Sequence, residues 1–248
     1  MKKELYSQIF ENEMSHWWYR VRRKMIKDLL FLYEMRGRNT KILDIGCGTG
    51  ALLGEMEPFG DVYGVDFSPE AVQFCKRRGF NKVEEGSILK IPFPDGSFDF
   101  VLALDILEHI ENDEVAIMEI CRVLKEGGIF IFFVPAFRFL WGETDVLGEH
   151  KRRYRRPELL EKIRKNGELS VLRSSYFNTF LFFPIATARF AANLFRLGQK
   201  LESNPGNGFA NKILYGIFYT ESILLRFMNF PFGVSIFVVG TKKDKKIK

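Results

Sequence analysis

Asp44, Gly46, Gly48 and Gly50 stand at alternate positions at the end of an apolar run, a spacing suited to binding a small molecule. Glycines let a chain turn sharply and let its backbone approach a ligand more closely than any side chain permits. The acid lies at the carboxyl end of the run, the edge where open α/β sheets hold their ligands. A second acid, Asp66, ends Gly64-Val65-Asp66, where a carboxylate can grip ribose hydroxyls. The glycines alone do not choose the ligand, because Gly46-x-Gly48-x-x-Ala51 also satisfies a loose dinucleotide pattern. For proton transfer there are three histidines, His16, His109 and His150, with Arg153 and Tyr154 close behind the last.

These residues need a scaffold, and the hydrophobic pattern supplies one. Residues 5–36 carry an approximate helical stripe that predicts one long helix stopped by Gly37. Strands are then expected at 41–45, 61–65, 81–85, 98–103 and 128–134, alternating with helices at 50–57, 69–78 and 111–124. That alternation implies right-handed crossovers and a parallel sheet, whose buried strands need not alternate polar and apolar residues. Ser68-Pro69 is a good helix opening, with a Ser cap and Pro at the first helical position. Residues 135–156 read as a long loop. A helix is expected at 157–166, a strand at 169–177, a helix at 184–201, a Gly/Asn/Pro linker at 203–211, a helix after it to about 229, and a last strand at 234–240.

Composition bounds the reading. The chain has 248 residues, 46% hydrophobic and 27% charged, enough for one large domain with a real core. Cys47, Cys75 and Cys121 lack ligand spacing and read as reduced thiols of a cytoplasmic protein. The first residues lack the apolar stretch of a signal peptide. The net charge of +6 is concentrated in 151–156 and in a basic tail near 242–246. The tail is expected to be a solvated terminus, whereas the block at 151–156 can attract an anionic substrate or a membrane surface.

The motifs fall in a fixed order. Asp44-x-Gly-x-Gly-x-Gly is followed by Asp66, then by Ile91-Pro92-Phe93-Pro94-Asp95-Gly96-Ser97-Phe98-Asp99. Leu104-Asp105-Ile106-Leu107-Glu108-His109 and Val123-Leu124-Lys125-Glu126-Gly127-Gly128 come next. The series, over about 40–135, closely resembles the class I S-adenosylmethionine-dependent methyltransferase family. The resemblance implies a doubly wound α/β fold, Rossmann-like, with a mostly parallel seven-stranded sheet, an antiparallel last strand and helical cap insertions. It divides the chain into an N-terminal helical cap (1–37), a cofactor-binding core (38–135) and acceptor-side insertions with the last two strands (136–248). The cofactor implied is S-adenosylmethionine, with S-adenosylhomocysteine as product.

Carried over position by position, the resemblance gives Asp44 the ammonium of the methionine moiety and lays the backbone of Gly46, Gly48 and Gly50 against the cofactor. Asp66 would accept the ribose hydroxyls, and Phe67 would flank the adenine. Ser87 stands where the family often has an Asp for the adenine amino group, with the amide of Ile88 beside it for a ring nitrogen. The carbonyl of Leu104 would face the ammonium. From the N-terminal segment, Trp18 and Tyr19 would line the sulfonium, where a ring face contributes roughly 0.5–2 kcal/mol. Arg20 or Arg23 would pair with the methionine carboxylate.

On the acceptor side, His109, His150 and Tyr154 are the catalytic candidates, because an oxygen acceptor usually needs a base. Asp105, Glu108 and His109 would share a face if their segment were helical. With a downstream histidine such as His150, they are similar to the metal motif of some metal-dependent methyltransferases. The same letters are frequent in metal-free members, and no metal is expected. The acceptor is expected to be a small molecule, with a hydroxyl of a lipid- or glycan-type compound the leading reading. The alternatives are a catalytically silent S-adenosylmethionine-binding protein and an RNA methyltransferase. The apolar helices beyond 177 are too interrupted to span a membrane and would form either core or a peripheral lipid-facing surface. Nucleic acid is not an expected partner, since no aromatic-basic RNA module accompanies the basic block.

Overall fold

A computed structural model describes residues 3–33, 40–195 and 208–244. Two helices, α1 (Lys3–Asn12) and α2 (Trp17–Leu32), precede the sheet. Then follow β1 (Lys41–Ile45), α3 (Ala51–Met56), β2 (Asp61–Asp66), α4 (Pro69–Arg77), β3 (Val83–Glu85), β4 (Phe98–Leu104), α5 (Asp113–Val123) and β5 (Leu124–Pro135). The remainder is α6 (Glu143–Leu147), α7 (Arg156–Lys165), β6 (Leu169–Phe177), α8 (Phe182–Phe195), α9 (Gly208–Leu224) and β7 (Ser235–Lys242).

The seven strands lie in the order β3-β2-β1-β4-β5-β7-β6. β1 to β5 are parallel, while β7 runs antiparallel between β5 and β6. The last strand is therefore antiparallel, as expected. Both faces of the sheet are covered, which is why β4 and β5 can be apolar on both sides. One layer joins Val101, Phe130 and Phe132 to Ile117 and Ile120 of α5 and Leu159 and Ile163 of α7. The other joins Ile42, Leu102 and Phe133 to Val21, Met25 and Leu29 of α2, Val72 of α4 and Phe218 of α9.

The single helix expected over 5–36 is two helices. The break falls at 13–16, where the His16 side chain accepts from the Trp18 amide and caps α2. The proposed stop at Gly37, the stretch from 196 to 207 and the end of the basic tail lie outside the described residues. The long loop after β5 contains a 3-10 turn at Arg138–Leu140 and the short α6. Among the described residues no helix is long and apolar enough to cross a membrane.

Candidate functional site

The carboxyl edge of β1, β2, β4 and β5 collects the polar residues in two groups. At the β1 end the chain turns out of the sheet through Gly46 (φ 73°) and Gly48 (φ 56°), in the left-handed region that side chains rarely adopt. A Cβ on Gly46 would lie 2.6 Å from Ile106 Cδ1, so packing also forbids one there. A Cβ on Gly48 would meet nothing within 4 Å and would project into open space. Gly48 thus presents bare backbone toward whatever occupies that space.

Asp66 turns back onto this loop. Its Oδ2 accepts from the Gly48 amide at 2.8 Å and its Oδ1 from the Ser68 amide at 2.9 Å. The Tyr6 hydroxyl of α1 lies close to Asp66 and Ser68. Burial, and then the charge of Asp66, push the Tyr6 phenol up to about 12. Asp44 is only 3% exposed, and its Oδ1 has no hydrogen-bond partner among the described residues. Burial, reinforced by Asp66, raises its carboxyl to about 8. Phe67, one residue past β2, is 80% exposed.

The N-terminal helices close over this end. Glu13 accepts from the Thr49 hydroxyl within the glycine loop and pairs with Arg78 at 2.7 Å. Arg22 forms an ion pair with Asp105, which leaves β4 with φ 51°, and its guanidinium lies 5.2 Å from the Trp18 ring centroid. Tyr19 is near the same pair, and burial raises its hydroxyl to about 12.

The second group is built by the chain after β5, which is stitched onto the segment after β4. The Lys151 amide donates to the Glu108 carbonyl at 2.7 Å. Arg152 reaches the Glu111 carbonyl, and Tyr154 is drawn under the sheet edge beside Ala136. Asp145, fully buried in α6, is clamped by Arg153 Nε at 2.7 Å and Nη2 at 2.9 Å and by His150 Nδ1 at 2.8 Å. Burial pushes its carboxyl up, but the hydrogen bonds and the Arg153 charge overcome this and hold it at about 2. The His109 and His150 rings meet edge to face at 4.6 Å. Burial, and then His150, lower the His109 imidazole to about 4. Glu108 is fully buried, and neither of its carboxylate oxygens has a hydrogen-bond partner among the described residues.

The sequence profile of the methyltransferase domain family matches residues 43–132. A demethylmenaquinone methyltransferase of Geobacillus stearothermophilus is 33% identical over 158 residues, which cover 57% of this chain and 67% of the relative. The chain belongs to the class I S-adenosylmethionine-dependent methyltransferase family. It is an enzyme of that family, with S-adenosylmethionine as its cofactor. A demethylmenaquinone methyltransferase of Staphylococcus aureus is 36% identical over 102 residues, covering 38% of this chain and 42% of the relative. Some relatives are thus matched over well under half their length. A solved S-adenosylmethionine-dependent methyltransferase of Thermotoga maritima has the same fold, with a TM-score of 0.59 and 20% identity over 97% of this chain and 96% of its own.

The residues present fit the methyltransferase cofactor on observations of their own. Asp44 is a buried carboxylate in need of a cation, and the open space over Gly48 admits a ligand against bare backbone. The other expected residues divide. Leu104 and Ile88 lie at the same sheet edge, with the Ile88 side chain packed in the core. Ser87 Oγ accepts from the Leu89 amide at 3.1 Å. Trp18 is stacked on Phe218 at 5.3 Å and belongs mainly to the α2–α9 packing.

Four expectations are corrected. Arg20 is exposed, with its guanidinium over the Tyr215 ring at 4.3 Å, away from the cofactor end. Arg23 is tied to Glu55 and to the Glu13 carbonyl. Arg22 reaches the site instead, and the signal was available: residues 18, 22, 25 and 29 follow one helical face. Tyr154 is sealed in the core, its hydroxyl donating to Asp113 at 2.8 Å, so it cannot meet an acceptor. Asp105, Glu108 and His109 do not share a helical face, because the chain turns left-handed at Asp105 and only Leu107–His109 forms a short 3-10 turn. Nor is the basic block a free anion strip, since Arg152 and Arg153 point inward to Asp113 and Asp145.

Proposed function

We propose that this methyltransferase moves the methyl group of S-adenosylmethionine to a hydroxyl oxygen of a lipid-type small molecule. When bound, the cofactor supplies a methyl group already activated on a sulfonium. Asp44 holds its ammonium, with the Leu104 carbonyl as a second acceptor, while the glycine loop from Gly46 to Gly50 lies against it. Asp66 accepts the ribose hydroxyls, Phe67 covers the adenine face, and Ser87 with the Ile88 amide meets the adenine edge. Tyr19 and Trp18 border the sulfonium side, and Arg22 takes the carboxylate role first considered for Arg20. The protein's task is then in-line positioning and exclusion of water.

The acceptor's hydroxyl is received by the Glu108–His109–His150 cluster. The observation that carries the lipid assignment is the apolar rim beside it. Phe139, Phe183 and Phe190 are 65%, 65% and 71% exposed, on the turn after β5 and on α8. Arg189 of α8 bonds to the Leu140 carbonyl and reaches Thr144, joining this rim to the loop that carries His150. Exposed rings grouped in this way mark a binding surface for apolar matter. The relatives named for demethylmenaquinone support a small molecule as acceptor. The same rim would make peripheral contact with a lipid surface.

The test uses methyl-labelled S-adenosylmethionine with detergent-dispersed hydroxylated lipids, quinols and polyprenols, and with RNA in a parallel reaction. The expected result is label in the organic extract, bound to oxygen, matched one to one by S-adenosylhomocysteine. Label confined to RNA, or S-adenosylhomocysteine without a methylated lipid, would contradict the assignment.

A further inference from the structure

The ligand atoms of Glu108, His109 and His150 all lie within 4.8 Å of one another. The surroundings prepare each of them as a donor. Asp145 is fixed as a carboxylate by the two hydrogen bonds from Arg153, so it can only accept. His150 Nδ1 therefore donates to it, which leaves the lone pair on Nε2, 4.0 Å from Glu108 Oε1. A carboxylate behind the far nitrogen of an imidazole is the usual support for a metal-binding histidine. The His109 ring meets the His150 ring edge to face at 4.6 Å and offers a ring nitrogen to the cluster. Glu108 is the independent sign: a fully buried carboxylate with, among the described residues, neither oxygen hydrogen-bonded and no cationic side chain bonded to it. Buried charges are paired or coordinate metals.

We propose that Glu108, His109 and His150 bind one divalent transition-metal cation of the zinc class, with its remaining positions open toward the acceptor. Two imidazole nitrogens and one carboxylate suit such an ion, and sites with three protein ligands keep a position for substrate. Bonds of about 2.1 Å place ligand atoms about 3.4–4.2 Å apart, and the Glu108–His150 pair already stands at that spacing. Asp105, the fourth residue of the motif noted in the sequence, is taken by Arg22. The cation's role, polarising the acceptor hydroxyl, rests on the proposed function; its binding does not.

The experiment titrates Zn2+ into metal-depleted full-length protein by calorimetry, with S-adenosylmethionine titrations of the same samples to show that each variant is folded. The wild type is expected to bind about one equivalent. His150→Ala and Glu108→Gln should weaken that binding by about 100-fold or more, and Asp145→Asn, which loosens the support behind His150 together with the Arg153 pairing, by about 10–100-fold. Each variant should keep its S-adenosylmethionine affinity, and a zinc-dependent rise in melting temperature should be largest in the wild type, smaller in Asp145→Asn and absent in His150→Ala and Glu108→Gln. Absence of stoichiometric zinc binding in the wild type would overturn the site, as would binding as tight as the wild type's in His150→Ala or His109→Gln. Methylation of a lipid hydroxyl at an undiminished rate by the metal-depleted protein would overturn the cation's role in the reaction. Zinc binding without methylation of any lipid would instead contradict the acceptor assignment while supporting the metal site.

Discussion

Asp44 and Asp145 are both buried at the carboxyl edge of one sheet, yet their carboxyls titrate at about 8 and about 2. Burial pushes both upward. Asp145 is met by Arg153 and His150, whereas the charge that acts on Asp44 is that of another acid, Asp66. The partner therefore decides the sign of the shift, and the sign separates two uses of a buried acid. A carboxylate with its cation built in is scaffold, here the post that aims His150. A carboxylate without one can take its cation from a ligand. Glu108 lies close to Asp145 in space but, like Asp44, leaves buried oxygen without a hydrogen bond among the described residues, with Arg22 and Arg153 acting on it only at a distance.

The largest effect should come from breaking the paired acid. Asp145→Ala strands the Arg153 guanidinium in the interior and should cost about 3–5 kcal/mol in urea unfolding. Its counterpart, Asp44→Asn, should act in the opposite direction on the ligand-free protein. An unfolded aspartate titrates near 3.9, and folded Asp44 at about 8. Between those values the native state holds the extra proton, so wild-type stability falls as pH rises. The Tm advantage of Asp44→Asn should therefore grow from about pH 5 to about pH 8 in thermal melts. A loss of stability comparable to that of Asp145→Ala would erase the distinction.

Smaller effects sharpen it. Arg22→Ala should weaken S-adenosylmethionine binding about tenfold, while Arg20→Ala changes it less than about twofold, as read by calorimetry. Tyr154→Phe should cost about 1 kcal/mol of stability through the lost bond to Asp113, with little change in kcat. The smallest expected effect is on lipid contact. Phe183→Ser with Phe190→Ser should reduce co-sedimentation with vesicles severalfold and leave cofactor affinity unchanged.

The two ends also differ in how far the sequence revealed them. The cofactor end is written in local backbone requirements: glycines where φ must be positive, an acid at a strand end, a Ser-Pro helix start. Such needs are met within a few residues, and the strands around them fall within a few residues of expectation. The acceptor end is made by tertiary pairing. Nothing in Gly148-Glu149-His150 says that Asp145 stands behind the imidazole, and a tyrosine in a basic loop reads as accessible until its bridge to Ala136 draws it inside. The break between α1 and α2 was hidden because histidine is not among the usual helix caps. The kink at Asp105 was hidden because few residues other than glycine adopt such a φ.

On the proposed function, Asp44 has no cationic partner among the described residues until the methyl donor supplies one. Calorimetric titration of S-adenosylmethionine at about pH 7, in two buffers of different ionisation enthalpy, measures this directly. Because free Asp44 is largely protonated there, the wild type should release close to one proton on binding. Asp44→Asn should release none and bind about 10–150-fold more weakly. Equal affinity in the two proteins, or binding without proton release by the wild type, would contradict the account.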